Sequence, residues 1–226
     1  MAILTPRDEA DLVDIVRKAR AEASPLEIVG RGTRRALGRP VEAAVTVDLS
    51  EMTGITLYEP SELVLSARAG TSLSEIAGTL ALSAQELAFE PVDHSALYGH
   101  PLGAGTIGGL VGVGWAGSRR LKVGSARDHL LGFQGVNGFG EAFKSGGRVM
   151  KNVTGFDLSK LVTGSFGTLA ILTQVTLKVL PRAETEETVA ILGLDDRAGL
   201  ALLREASGSP QEVSCLAHLP GGLHGP

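Results

Sequence analysis

Gly30, Arg31, Gly32, Thr33, Arg34 and Arg35 follow directly on the short apolar stretch Ile28-Val29, and Gly38 comes next before Pro40. Glycines in such a place let consecutive backbone N–H groups converge on one concavity. Thr33 adds a hydroxyl donor, and the guanidinium forks of Arg31, Arg34 and Arg35 match phosphate oxygens. The chemistry this offers is anion recognition, and a diphosphate fits the length of the loop. The same residues also read as a surface turn whose arginines are simply hydrated, and the loop alone leaves both readings open.

A second glycine-rich segment invites a different interpretation. Gly103-Ala104-Gly105-Thr106-Ile107-Gly108 satisfies G-x-G-x-x-G, and Asp128 lies beyond it at the spacing of a dinucleotide-binding fingerprint. That fingerprint has to open directly behind a buried strand. Here the preceding residues are polar and include Gly99 and Pro101, so a Rossmann site is not expected. What survives is a glycine-rich segment from Gly105 to Gly114 with Thr106 as its polar member. Two such loops in one chain are able to hold a long nucleotide along its phosphates. His94, His100 and His129 read as hydrated or hydrogen-bonded residues rather than catalysts. Lys151 and Asn152 are better placed for a structural or ligand-adjacent role, the alternative being a turn with a satisfied amide. Cys215 is the single cysteine, which excludes an internal disulfide and gives no zinc-site pattern; it reads as a small core residue.

The whole chain sets the limits for these loops. With 226 residues, 43% hydrophobic content and a net charge of −4, it has the composition of a globular protein large enough for one sizeable core or two small ones. Basic and acidic residues are interspersed, so no nucleic-acid footprint is present and any anion site is local. The first residues lack a signal-peptide pattern and no charge-free apolar run would span a bilayer, which predicts a cytoplasmic location without direct membrane insertion.

The elements that must position the loops follow from periodicity and capping. Thr5 with Pro6 and the apolar series Leu12, Ile15, Val16 and Ala19 predict an amphipathic helix ending near Ala23. Strands are expected within residues 24–30, 44–50, 54–59 and 63–70, then a helix capped by Thr71 or Ser72 that carries Leu73, Ile76, Ala77 and Leu80. Residues 130–147 suggest a hairpin turning at residues 138–141. Residues 156–167 suggest a short helix stopped by glycine, and residues 169–181, rich in β-branched residues, a long strand. Further on, strands are expected at residues 184–194 and 212–219, around a helix capped by Asp195 or Asp196.

Taken together, GRGTRR behind a strand, GTIGGLVGVGWAGSRRLKVGSARDHLLG, and GGRVMKNVTGFDLSKLVTGSFGTLAILTQVTLKV resemble the FAD-binding domain of the vanillyl-alcohol oxidase (PCMH-type) flavoprotein superfamily. More closely, the chain looks like the FAD-binding subunits of bacterial glycolate oxidases, a resemblance that covers nearly everything from Leu4 to Pro181. The resemblance implies an α+β fold, with a domain over residues 1–181 made of two α+β subdomains and FAD between them. Residues 182–226 would then begin a cap domain that this chain leaves incomplete.

Carried over by position, the diphosphate loop falls on Gly30, Arg31, Gly32, Thr33 and Arg34. The second flavin segment falls on Gly105, Thr106, Ile107, Gly108 and Gly109, continued by Gly112, Gly117 and Ser118. Pro91 matches a proline lining the flavin pocket; Gly124, Arg127 and Asp128 match the adenosine side, and Ile171 the residue whose backbone meets the adenine. Thr33 and Arg34 stand where relatives with covalent flavin carry histidine, so FAD is expected to be noncovalent. The resemblance implies oxidation of a small 2-hydroxy acid such as glycolate, in a complex with a paralogous flavin subunit and an iron–sulfur subunit, any membrane association being through those partners. The catalytic residues stay unassigned and no metal site is expected in this chain. Two other readings remain: an FAD-holding electron-relay or structural subunit, and a protein whose phosphate loops hold a nucleotide other than a flavin.

Overall fold

The computed structural model describes residues 2–148 and 155–220. Its first unit is a three-stranded parallel sheet in the order β1-β3-β2, built from β1 (Ala2–Leu4), β2 (Leu26–Val29) and β3 (Val45–Asp48). Helix α1 (Glu9–Ala21) crosses from β1 to β2. It starts later than the sequence suggested, because Asp8 and not Thr5 is the cap: its carboxylate accepts from Asp11 N–H at 2.9 Å. The side chain of Asp11 in turn accepts from Arg7 N–H at 3.1 Å, so two open donors at the helix start are satisfied together. β1 has no counterpart among the expected strands; its three residues are exposed and give no alternation to read.

The second unit is a five-stranded sheet in the order β4-β5-β9-β7-β8, antiparallel throughout. Its strands are β4 (Ile55–Glu59), β5 (Val64–Arg68), β7 (Leu130–Asn137), β8 (Ala142–Gly146) and β9 (Ala170–Lys178), while β6 (Gln85–Glu86) pairs separately with β10 (Leu180–Pro181). The predicted hairpin is β7–β8 and the predicted long strand is β9. Being central, β9 is covered on both faces, and even its polar residues are buried in hydrogen bonds: Thr176 Oγ1 lies 2.7 Å from Ser66 Oγ, and Thr173 Oγ1 donates to Glu9 at 2.9 Å.

Short helices fill the connections. α2 (Leu73–Ala81) is capped by Ser72, whose hydroxyl accepts from Glu75 N–H at 3.2 Å. It is followed by α3 (Ile107–Val113), α4 (Arg120–Val123), α5 (Ala126–His129) and α6 (Leu158–Val162). Leu73, Ile76, Leu80, Phe89, Ile107, Leu110, Val175 and Leu177 form the larger core between these helices and the sheet. A smaller core joins the units: Leu12 and Val16 of α1 meet Val47 of β3, Val136 of β7 and Ile171 of β9.

Beyond Pro181 the sequence reading needs correction. Residues 184–194 and 212–219 form no strand, and only α7 (Asp196–Ser207), capped by Asp195, is present. Their β-branched residues find no neighbouring strand to pair with, and Val189 and Leu192 are more than four-fifths exposed. Cys215 is exposed, not a core residue. His129 is buried, with Nε2 2.8 Å from Val123 O and Nδ1 3.3 Å from Lys178 O, a packing role in keeping with its reading. No helix among the described residues is long and apolar enough to cross a membrane.

Phe89 is fully buried where the segment after β6 passes under the larger core. Replacing it by alanine leaves a cavity and is expected to cost about 3–5 kcal/mol. Chemical denaturation should show a lower midpoint with an unchanged slope for Phe89→Ala; an unshifted midpoint would place this ring outside the cooperative core.

Candidate functional site

Between the two sheets lies a cleft of about 420 Å³. One wall is β2 and the turn behind it; the other is α3, the start of β9 and residues 165–168. Ten of the expected site residues line it: Gly30, Arg31, Gly32, Thr33, Arg34, Thr106, Gly108, Gly109, Gly112 and Ile171.

Their proximity has a steric cause. Thr106 caps α3, its hydroxyl accepting from Gly109 N–H at 3.2 Å, and any side chain at Gly30 would overlap that hydroxyl. Gly32 sits at φ 67°, a left-handed conformation that opens the turn toward the cleft. Gly108 lets α3 rest on β5's end, where a Cβ would come 2.6 Å from Ala69 Cβ.

The two glycine segments differ in the donors they offer. At α3 the amides are already engaged: Ile107 N–H donates to Thr71 O at 3.0 Å, Gly108 N–H to Ala69 O at 2.9 Å, and Gly109 N–H to Thr106. In the turn behind β2, the N–H groups of Arg31, Gly32, Thr33 and Arg34 have no protein acceptor among the described residues. Arg34 reaches across the cleft floor. Its Nη2 donates to Val92 O at 2.9 Å, and its Nη1 lies near Gly105 and Gly109, whereas its buried Nε has no partner among the described residues. Burial pushes this guanidinium below its ordinary pKa, opposed by the charges of Asp93 and Tyr98, and an arginine so placed remains a cation. Arg35 instead turns back to β2 and donates to Glu27 through Nε at 3.0 Å. Burial works to raise the Glu27 carboxyl, but hydrogen bonds from Thr46 and Arg35 outweigh it and hold the pKa below the usual range. Four open amides and an unpaired buried cation donor fit a polyanion such as a diphosphate.

The remaining expected residues lie elsewhere. Gly105 adjoins the cleft, and its Cβ position is 3.8 Å from Thr33 Oγ1. Ile107 is fully buried in the larger core with its amide engaged. Pro91, Gly117 and Ser118 gather in a second cluster, where Gly117 N–H donates to Phe89 O at 3.2 Å and Glu90 accepts from Ser118 Oγ at 3.4 Å and from Arg119 N–H at 2.8 Å. Gly124, Arg127 and Asp128 form a third, at α5: Asp128 completes a capping box with Ser125, and Arg127 Nε donates to Lys160 O at 3.1 Å. Neither cluster lines the cleft. Asp128 is therefore a helix cap, and the dinucleotide fingerprint it superficially completed has no parallel sheet behind it. His94 stacks edge-on against Trp115 at 4.7 Å, away from the cleft wall. Lys151 and Asn152 lie outside the described residues. Sequence reasoning missed Ser165, Phe166, Gly167 and Thr168, which line the cleft; an aromatic residue set between glycines 164 and 167 was the available signal.

Asp93 ties together the loop that meets Arg34, accepting from Gly103 N–H at 2.6 Å and Ser95 N–H at 2.9 Å. Burial would raise its pKa, but these hydrogen bonds and the Arg34 charge bring it below the usual value. A carboxyl lowered by folding stabilises the fold fully above its unfolded pKa of about 3.9, and the contribution fades as pH falls through the folded value. Asp93→Asn should therefore lower the denaturation midpoint at pH 7, with the difference closing below about pH 4. An equal difference at both pH values would show that the charge is not what matters.

The family model of an FAD binding domain matches residues 1–146. Glycolate oxidase subunit GlcE of Escherichia coli (strain K12) is 41% identical over 196 residues, which cover 87% of this chain and 50% of that protein. Glycolate oxidase subunit GlcD of Bacillus subtilis (strain 168) is 29% identical over 84% of this chain and 39% of its own length. D-lactate dehydrogenase of Archaeoglobus fulgidus is 28% identical, covering 84% of this chain and 41% of that enzyme. Among solved structures, alkyldihydroxyacetonephosphate synthase superposes with a TM-score of 0.63 at 20% identity, over 81% of this chain and 32% of the synthase, which shows the shared fold. The chain thus spans about half or less of the length of these relatives.

Proposed function

Since the chain belongs to the FAD binding domain family, we propose that it is the FAD-holding part of a 2-hydroxy acid oxidase or dehydrogenase of the glycolate and lactate type, and that residues 30–34 hold the FAD diphosphate. The observation that carries this is the set of open amides at residues 31–34 beside Arg34, whose buried Nε has no partner among the described residues, while the first amides of α3 are taken. When bound, FAD supplies the redox chemistry, taking a hydride equivalent from the carbon that bears the substrate's hydroxyl. The protein's own part is to neutralise the diphosphate with Arg34, to seat it on four amides, and to keep water from the nucleotide with the apolar wall of Leu49, Val113, Val162 and Ile171.

Noncovalent binding is part of the proposal, supported by Thr33 and Arg34 in the turn and by a lining without histidine or cysteine among the described residues. So is a boundary near Pro181: FAD binding belongs to residues 1–181, and residues 182–226 form a separate unit, since α7 buries only Gly199. Partners of the kind the relatives' names indicate, other subunits of a glycolate oxidase, are proposed on the same footing.

A relay role is the second reading, favoured by the cleft's chemistry. The only carboxylate on its lining, Glu27, is already held by Arg35 and Thr46, so no free carboxylate stands beside the proposed diphosphate seat among the described residues. In that reading the group that accepts the substrate's proton comes from another unit or subunit.

Gly32→Val is expected to abolish FAD binding, because a β-branched residue at φ 67° closes the turn. Gly38→Val, strained in the same way at φ 83° but off the cleft lining, should lose stability and keep FAD; equal affinity in both variants would move the diphosphate elsewhere. The reconstituted chain should stay yellow through gel filtration and release its flavin to the supernatant on acid precipitation. By itself it should reduce a dye with glycolate slowly or not at all. Flavin in the pellet would refute noncovalent binding, and brisk turnover would place the proton acceptor within this chain.

A further inference from the structure

His129 closes α5, and only 2% of it is exposed. Both of its ring nitrogens face main-chain oxygens. Nε2 lies 2.8 Å from Val123 O at the end of α4, and Nδ1 lies 3.3 Å from Lys178 O at the end of β9. A carbonyl oxygen accepts and has no proton to give, so a ring that bonds to both oxygens donates twice. A neutral imidazole donates once and would turn a lone pair on the second oxygen. The double contact therefore describes an imidazolium.

A buried cation needs compensation, and the surroundings supply it. Val123 O is among the last carbonyls of α4, which the helix leaves open and where a cationic side chain is favoured. The Phe89 ring centre lies 5.2 Å from that of His129, tilted by 56°, within reach of a cation. Asp128 stands beside the ring. The Ser125 amide holds its carboxyl below the usual pKa against the effect of burial, helped by the Ser125 hydroxyl, Arg127 and the His129 charge. Other charged groups on the surrounding elements are engaged elsewhere: Arg127 with Lys160 O, Lys160 with Asp157, Glu86 with Arg119, and Glu90 with Arg119 N–H. Arg120 and Lys122 of α4 are exposed, Lys178 meets the ring through its carbonyl, and α3 and β7 carry no charged residue.

We propose that His129 is held as an imidazolium in the folded protein and acts as a pH-sensitive clamp, binding the end of α4 to the end of β9 while it carries two protons. Histidine is the side chain that ordinarily changes charge between about pH 5 and 8. Charged, the ring holds both oxygens; neutral, it holds one. Its contribution to stability is thus present at low pH and falls as pH rises through that range. The clamp joins two parts of the fold with different tasks. α4 and α5 connect α3 to β7, whereas β9 runs through Val179 into β10 and the residues beyond Pro181. Loss of the proton frees the short helices from the strand that leads to the C-terminal segment.

Nitrogen NMR of the 226-residue chain carrying isotope-labelled histidine reads the charge directly, the ring being assigned through its contact with Phe89. At about pH 6 both nitrogens of His129 should be protonated. Amide hydrogen exchange gives a second readout. The N–H groups of Val123, Gly124 and Asp128 close α4 and α5. Relative to Val175 on β9, their protection should drop roughly 10-fold or more between about pH 5.5 and 8, the effect of losing one hydrogen bond to a charged group. Asp128, with its lowered pKa, stays ionised over that range and does not contribute. In His129→Gln, and in His129→Phe, which keeps an aromatic ring without its nitrogens, protection should not vary with pH. A single neutral tautomer of His129 from about pH 5 to 8 would overturn the proposal. So would protection that is constant with pH in the wild type, or a pH dependence that persists in either variant.

Discussion

Everything in the cleft depends on how closely the turn behind β2 approaches the cap of α3. Gly30 faces the Thr106 hydroxyl with no room for a Cβ, and that hydroxyl is itself fixed by Gly109 N–H. The turn behind the parallel sheet and the cap of α3 thus approach each other with no room for a side chain at residue 30. Arg34 crosses the same seam and joins the turn to Val92.

This arrangement divides labour between two segments that look alike in sequence. Both are rich in glycine, and both suggested open amides. In α3 the glycines serve packing instead: they allow the helix to sit against Ala69 while its first amides bond to Thr71 and Ala69. In the turn behind β2, no backbone acceptor among the described residues takes the amides, and they stay available. The same residue type therefore closes one surface and opens another, and the difference lies in what is opposite.

That is also where the sequence stopped being legible. β9, the β7–β8 hairpin and the caps at Ser72 and Asp195 could be read because periodicity and capping are local. The glycine turn behind β2 was legible as a turn for the same reason. Distant partners were not: nothing near Ile107 or Gly108 announces that Thr71 and Ala69 hold their amides, and nothing near Asp128 other than Ser125 announces that it caps a helix. The strands expected within residues 184–194 and 212–219 failed on the opposite count, since their local pattern was adequate and a pairing partner was missing. Phe166 escaped notice because an aromatic residue between glycines looks like an ordinary turn until its exposure and φ are known.

The placement of β2 at the edge of its sheet has a consequence for the empty protein. An exposed edge strand is a template for pairing with another chain, and proteins usually blunt such edges with charge, proline or a covering segment. Leu26, Ile28 and Val29 supply three apolar residues in four, and Glu27, the only charge, is neutralised by Arg35. In the proposed binding mode a nucleotide lying along this strand would cover the edge, so the cofactor would also guard the strand against self-association, and loss of flavin would expose a route to aggregation.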